Sequence, residues 1–110
     1  MDNLARLQRH ITVNDLPVLA MFGAPWCGPC RVMTLELEKV APRLEPSIRL
    51  VTVNIDVGDG FAERYGVRAI PTMILFCEGI ELARSDGAIH AAGILRFLQK
   101  HLSAREAIPA

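Results

Sequence analysis

The sequence predicts an α/β fold: a mixed sheet of four or five strands, flanked by helices on both faces. Three observations predict it. Two apolar runs, Pro17–Phe22 and Ile48–Ile55, are separated by a segment with helical spacing, as in a parallel strand pair joined by a helix. Two further strand-like runs, Thr72–Cys77 and Ile80–Ser85, flank the turn residues Glu78-Gly79 and predict an antiparallel hairpin. A closing segment, Ala88–Leu102, carries Ile89, Ile94, Leu95, Leu98 and Leu102 at helical intervals.

The elements follow in chain order. Asn3–His10 predicts a short amphipathic helix, with Asp2 as its N-cap and Leu4, Leu7 and Ile11 on one face. Pro17–Phe22 is bounded by Asn14-Asp15 and Gly23 and reads as a buried parallel strand. The next helix carries Leu37, Val40, Ala41 and Leu44, and Pro42 is expected to end or bend it near Val40–Ala41. Ile48–Ile55 has apolar residues on both faces, so both are expected to be covered. Asp59–Tyr65 predicts a short helix stopped by a left-handed Gly66. The expected organisation is one domain over 1–110, with helix and linker in 1–15 and a flexible tail at 103–110.

Composition excludes several classes. The 110 residues are 51% hydrophobic, enough for a core, and hold 12 acids against 12 bases. That balance predicts no nucleic-acid partner. No apolar run approaches the ~18 residues of a membrane span. The N-terminus lacks a basic stretch followed by an apolar one, so no secretory signal is expected. Three cysteines in such a chain point to a reducing, cytoplasmic compartment, where a close pair is catalytic rather than a structural staple.

That pair is Cys27 and Cys30, in Trp26-Cys27-Gly28-Pro29-Cys30. Their spacing lets two thiols share the first turn of a helix and close a small ring. A cysteine there meets unpaired backbone N–H groups and the positive end of the helix dipole. Both favour the thiolate, so a thiol pKa of about 8.5 falls by a unit or more, and the thiolate is the nucleophile. The rival reading of the pair is half a zinc site. Zinc takes about four ligands, and Cys77, His10, His90 and His101 show no ligand spacing, so no metal is expected. Cys77 reads as a packing residue. Glu36, Glu38 and Lys39 read as a solvated helix face, and His90 as an N-cap or surface residue.

Together these residues resemble the thioredoxin family, over about Leu16 to Leu102. The resemblance rests on Trp26–Cys30, Asn54-Ile55-Asp56, Tyr65–Thr72 with Ile70-Pro71-Thr72, Phe76–Gly79 and Gly87-Ala88. It implies a protein-disulfide reductase. Cys27 would be the exposed attacking thiolate and Cys30 the buried resolving thiol. Pro71 would be cis and lie against the pair. Trp26, Gly28, Pro29, Ile55, Ile70, Gly87 and Ala88 would form the apolar patch that takes an extended substrate, partly by β-augmentation. Implied partners are disulfide-containing proteins and, as electron donor, thioredoxin reductase. No cofactor is expected in the domain. A thiol oxidant or isomerase, or a non-catalytic binding module using the same surface, are the alternatives.

The chain departs from the family pattern at three places. Met21 stands where the family places a buried Asp, and Thr52 where it places that Asp's Lys partner. Losing both together avoids a lone buried charge and removes the proposed proton acceptor for Cys30. Gly23 replaces an aromatic residue, which is expected to loosen packing behind Cys27. The family's first strand has no counterpart, so Arg49–Asn54 is expected at a sheet edge, open to a weak homodimer.

Overall fold

The computed structural model of the protein describes residues 16–57 and 60–106, with residues 61 and 103–106 as backbone alone. The expected helix at Asn3–His10, Asp59 and residues 107–110 lie outside the described residues. The elements are β1 (Val18–Gly23), α1 (Gly28–Leu44), β2 (Arg49–Asn54), α2 (Phe61–Arg64), β3 (Thr72–Cys77), β4 (Ile80–Asp86) and α3 (Ala91–Glu106). A single 3-10 turn, Ile55–Val57, follows β2.

The described strands form one sheet in the order β2-β1-β3-β4. β1 pairs parallel with β2 and antiparallel with β3, and β3 pairs antiparallel with β4. Every residue of the central strands β1 and β3 is buried, which is why both read as continuous apolar runs. Alternation along them divides two cores. Leu19, Met21, Met73 and Leu75 pack under α1 and α3 through Met33, Leu37, Val40, Ile94 and Leu98. Val18, Ala20, Phe22, Ile74 and Phe76 face the other way, with Val51 and Val53 of β2 and the half-buried Tyr65 and Val67. The Tyr65 ring meets Phe76 edge-on, with centroids 5.2 Å apart.

The alternation in β2 does what its sequence predicts. Ile48 and Leu50 join the first core, and Val51, Val53 and Ile55 the second. β2 lies at the edge of the sheet among the described strands. Gly66 takes φ +66° and ends α2. Its N–H bonds Glu63 O at 3.1 Å, and the Val67 N–H bonds Ala62 O at 2.7 Å, the paired closure of a Schellman end. The β3–β4 turn puts Glu78 at φ 52° and Gly79 at φ 81°, two left-handed residues that suit the twist of a hairpin.

Three boundaries differ from expectation. Pro42 lies inside α1, which continues to Leu44. A proline removes only its own N–H from the ladder. The Glu45 N–H still bonds Ala41 O at 2.9 Å, and burial of Val40 and Leu44 holds the last turn in place. α3 starts at Ala91 rather than Ala88, because Gly87 takes φ 89° and its N–H bonds Pro71 O instead of opening a helix. α3 also runs on to Glu106, into the segment expected to be a flexible tail.

Candidate active site

β1 ends at Gly23, and the next residues turn the chain into α1. The Cys27 N–H bonds Ala24 O at 3.1 Å, and Cys27 becomes the N-cap of α1 with extended backbone. Gly28 and Pro29 fill the first two helical positions, where a missing proline N–H costs nothing. The Cys27 sulfur then accepts the Cys30 N–H at 3.2 Å, the bond a capping oxygen usually makes. No acidic side chain occupies the first turn to compete with it. That amide, with the helix dipole behind it, favours negative charge on Cys27 when the thiol is released.

Cys27 and Cys30 are joined as a disulfide, with Cα atoms 5.2 Å apart. Cys30 is 1% exposed and Cys27 only 6%, so the expected exposed outer cysteine is instead nearly covered. Ala24, Ile55 and Ile70 pack around the pair and account for that cover. Ile70 leads into Pro71 through a cis peptide bond, and Pro71 is buried. The Gly87 N–H reaches Pro71 O at 2.8 Å, which ties the loop before α3 to the proline. Ala88 follows in that loop and is exposed, as is Pro29. The Thr72 hydroxyl donates to Ala69 O at 2.7 Å, and Asp86 Oδ1 lies 3.1 Å from the same hydroxyl.

Trp26 is 66% exposed beside the buried pair. Its indole N–H donates to Asp56 Oδ2 at 2.6 Å, and the Asp56 N–H is held in turn by Asn54 Oδ1 at 2.9 Å. Asp56 was therefore missing from the expected set. Its signal was the Asn-x-Asp spacing at the end of β2, which suits a side chain that bonds a backbone N–H two residues on.

At the base of the site the expectation for Gly23 is corrected. Met21 is fully buried and pairs in register with Thr52. A Cβ on Gly23 would sit 3.0 Å from Cys30 Sγ and 3.2 Å from Met21 Sδ. The space at Gly23 is therefore filled by Cys30 and Met21, rather than left loose behind Cys27. Cys77 is buried at the opposite end of β3, five residues and roughly 17 Å from Thr72.

Glu36 is a second correction. It is buried at 8% exposure rather than solvated. The visible signal was its place in the stripe Met33, Glu36, Leu37, Val40 and Leu44, the buried face of α1. Its carboxylate accepts from Lys39 Nζ, from the Ala91 N–H at 3.0 Å, and lies 3.3 Å from His90 Nδ1. The Lys39 ammonium and the Ala91 amide hold its pKa down from 4.5 to about 2. His90 is the residue before α3, but its side chain is 87% exposed. Among the described residues no three His, Cys, Asp or Glu side chains converge as a metal cage would need, and no helix is long and apolar enough to cross a membrane.

This geometry has a match among known proteins. The thioredoxin family model covers residues 2–100. The chain is 37% identical to thioredoxin of Porphyra purpurea over 99 residues, 90% of this chain and 92% of that one. It is 37% identical to thioredoxin 1 of a Nostoc species over 86% of this chain and 89% of that one, and 32% identical to thioredoxin of Haemophilus influenzae over 91% and 94%. Its fold superposes on crystalline chloroplastic thioredoxin z with a TM-score of 0.83, at 23% identity and covering 93% of this chain and 92% of that one. A disulfide-closed cysteine pair at a helix tip, on this sheet and with these relatives, places the chain in the thioredoxin family, as a protein-disulfide oxidoreductase that works by dithiol–disulfide exchange.

Proposed function

We propose that the chain runs as a reductase, with Cys27 as nucleophile and Cys30 as resolving thiol. The Cys27 thiolate attacks one sulfur of a substrate disulfide. That S–S bond breaks, the other substrate sulfur leaves as a thiolate and takes a proton, and a mixed disulfide forms on Cys27. Cys30, deprotonated, then attacks Cys27 Sγ and expels the second substrate thiolate. The substrate gains two electrons and two protons, and Cys27–Cys30 is left oxidised. An external dithiol donor returns the two electrons, and thioredoxin reductase is the donor we assign.

One observation carries the reading: the Cys27 sulfur accepts a helix-tip amide while Cys30 lies deeper beneath it. Pro71 lies at the patch and offers no N–H, and Trp26, Gly28, Pro29, Ile55, Ile70, Gly87 and Ala88 supply the surface for an extended substrate segment. The cytoplasm is the compartment we assign, since the cycle needs a reducing poise. The edge strand β2 offers a route to a weak homodimer, which light scattering at high concentration tests. We extend the domain assignment to the whole of 1–110.

The deciding experiment is insulin disulfide reduction, with dithiothreitol and separately with NADPH and thioredoxin reductase. The expected result is catalysed precipitation of insulin in both, abolished by Cys27→Ser. Cys30→Ser should trap a mixed disulfide visible by mass spectrometry. No acceleration with either donor would overturn the assignment. A strongly oxidising couple in a glutathione buffer would overturn the reductase direction.

A further inference from the structure

Residues 87–91 bridge Pro71 and the cysteine helix. At one end the Gly87 N–H bonds Pro71 O at 2.8 Å. At the other the Ala91 N–H, the first of α3, bonds Glu36 Oε1 at 3.0 Å. Between them the Ile89 N–H points at Met33 Sδ, 3.4 Å away. Met33 and Glu36 stand three and six residues after Cys30, so both holds lie within about 9 Å of it along the axis of α1.

α3 needs such a hold. His90 occupies its N-cap position, since His90 O accepts the Ile94 N–H at 3.0 Å. A histidine is a poor cap, and this one turns its side chain to solvent. The first N–H groups of a helix need acceptors. A carboxylate from a different helix supplies one here, and its charge sits at the positive end of the α3 dipole. The donor it satisfies is 55 residues away in sequence.

We infer that Glu36 is a positioning residue: it sets the height of the Gly87–Ile89 loop against the cysteine helix and so determines how tightly a protein substrate is held beside Pro71. The inference rests on the reductase reading above and adds the residue that orients one wall of its substrate groove. Glu36 touches neither cysteine. Its removal therefore acts on binding and leaves the chemistry at Cys27 intact.

The test compares the native chain with Glu36→Ala and Glu36→Gln. Insulin is the protein substrate, dithiothreitol the reductant, and a small aromatic disulfide the control substrate. Glu36→Ala is expected to raise KM for insulin about three- to tenfold, the size of losing one helix cap. kcat and the rate with the small disulfide should stay within twofold (roughly the scatter of an indifferent surface change). Glu36→Gln keeps an acceptor oxygen at the same reach and should recover most of the KM. Hydrogen exchange should quicken at the amides of Ala91 and Gly87 in Glu36→Ala. The inference is overturned if both substrates slow equally, if KM is unchanged, or if the Ala91 amide exchanges as in the native chain. The native chain's own activity on insulin checks the underlying reading separately.

Discussion

Met21 and Thr52 stand opposite one another in the parallel β1–β2 register, and Met21 is wholly buried. The point where a Gly23 Cβ would lie is 3.0 Å from Cys30 Sγ and 3.2 Å from Met21 Sδ, so a thioether rather than a carboxylate borders the resolving thiol. No proton acceptor is supplied from that side. Met21→Asp places one there, with its pKa raised by desolvation toward the range of a useful base. Resolution of the mixed disulfide near pH 7 should quicken by about tenfold or more. Stability should fall by about 3–5 kcal/mol for an unpaired buried carboxylate, and adding Thr52→Lys should recover part of it. Stopped-flow pH profiles and chemical denaturation check both arms. An unchanged or slower resolution step in Met21→Asp counts against the role given to the missing acid.

Gly23 is tight for a reason of space alone, since its Cβ would press on Cys30 Sγ and Cβ at 3.0 and 3.1 Å. Gly23→Ala should destabilise the oxidised protein by about 1–3 kcal/mol through forced shifts in a filled core. Thermal unfolding of the oxidised chain reads this directly. A rise in Tm would show that the site has slack.

Trp26 is the single tryptophan, so its emission reports on one hydrogen bond, the one to Asp56. Asp56→Ala should free the indole, shift its emission, and cost less than about 1 kcal/mol, because the contact is exposed. KM for insulin should rise by about two- to threefold as the rim loses its set orientation, an effect under 1 kcal/mol. Asp56→Asn keeps an acceptor for the indole N–H and should stay close to the native chain. Identical fluorescence in Asp56→Ala and native protein would remove this bond from the account.

Glu36 makes stability depend on acid. Its pKa is lowered on folding, from 4.5 to about 2. A carboxyl with a depressed folded pKa contributes stability that is complete above its unfolded pKa and is lost as pH falls through the folded one. The contribution should therefore fade between about pH 4.5 and pH 2. Lys39 and His90 are the groups that face it. Glu36→Gln should show a flatter fall of Tm across it than the native chain. Parallel curves would mean that Glu36 binds its proton equally in both states.

Some of this protein is written in short stretches of chain. A cysteine pair three apart at a strand-to-helix junction already predicts a helix-tip thiolate, because both the cap and the dipole arise within one turn. Continuous burial of β1 and β3, the hairpin at Glu78-Gly79 and the closure at Gly66 are equally local. Pro42 and the C-terminal end of α3 misled for the same reason: local preference stops a helix there, and packing of Val40, Leu44, Ile94 and Leu98 carries it on.

The sequence alone determined the sheet and the cysteine pair. Only the tertiary structure decided that Cys27 is nearly covered, that Trp26 is held by Asp56 thirty residues on, and that Glu36 caps a helix fifty-five residues away. Periodicity shows which face of an element turns inward, but not what waits for it there. That depends on how two distant elements meet across the sheet, and a buried carboxylate is tolerated only where such a meeting brings it donors.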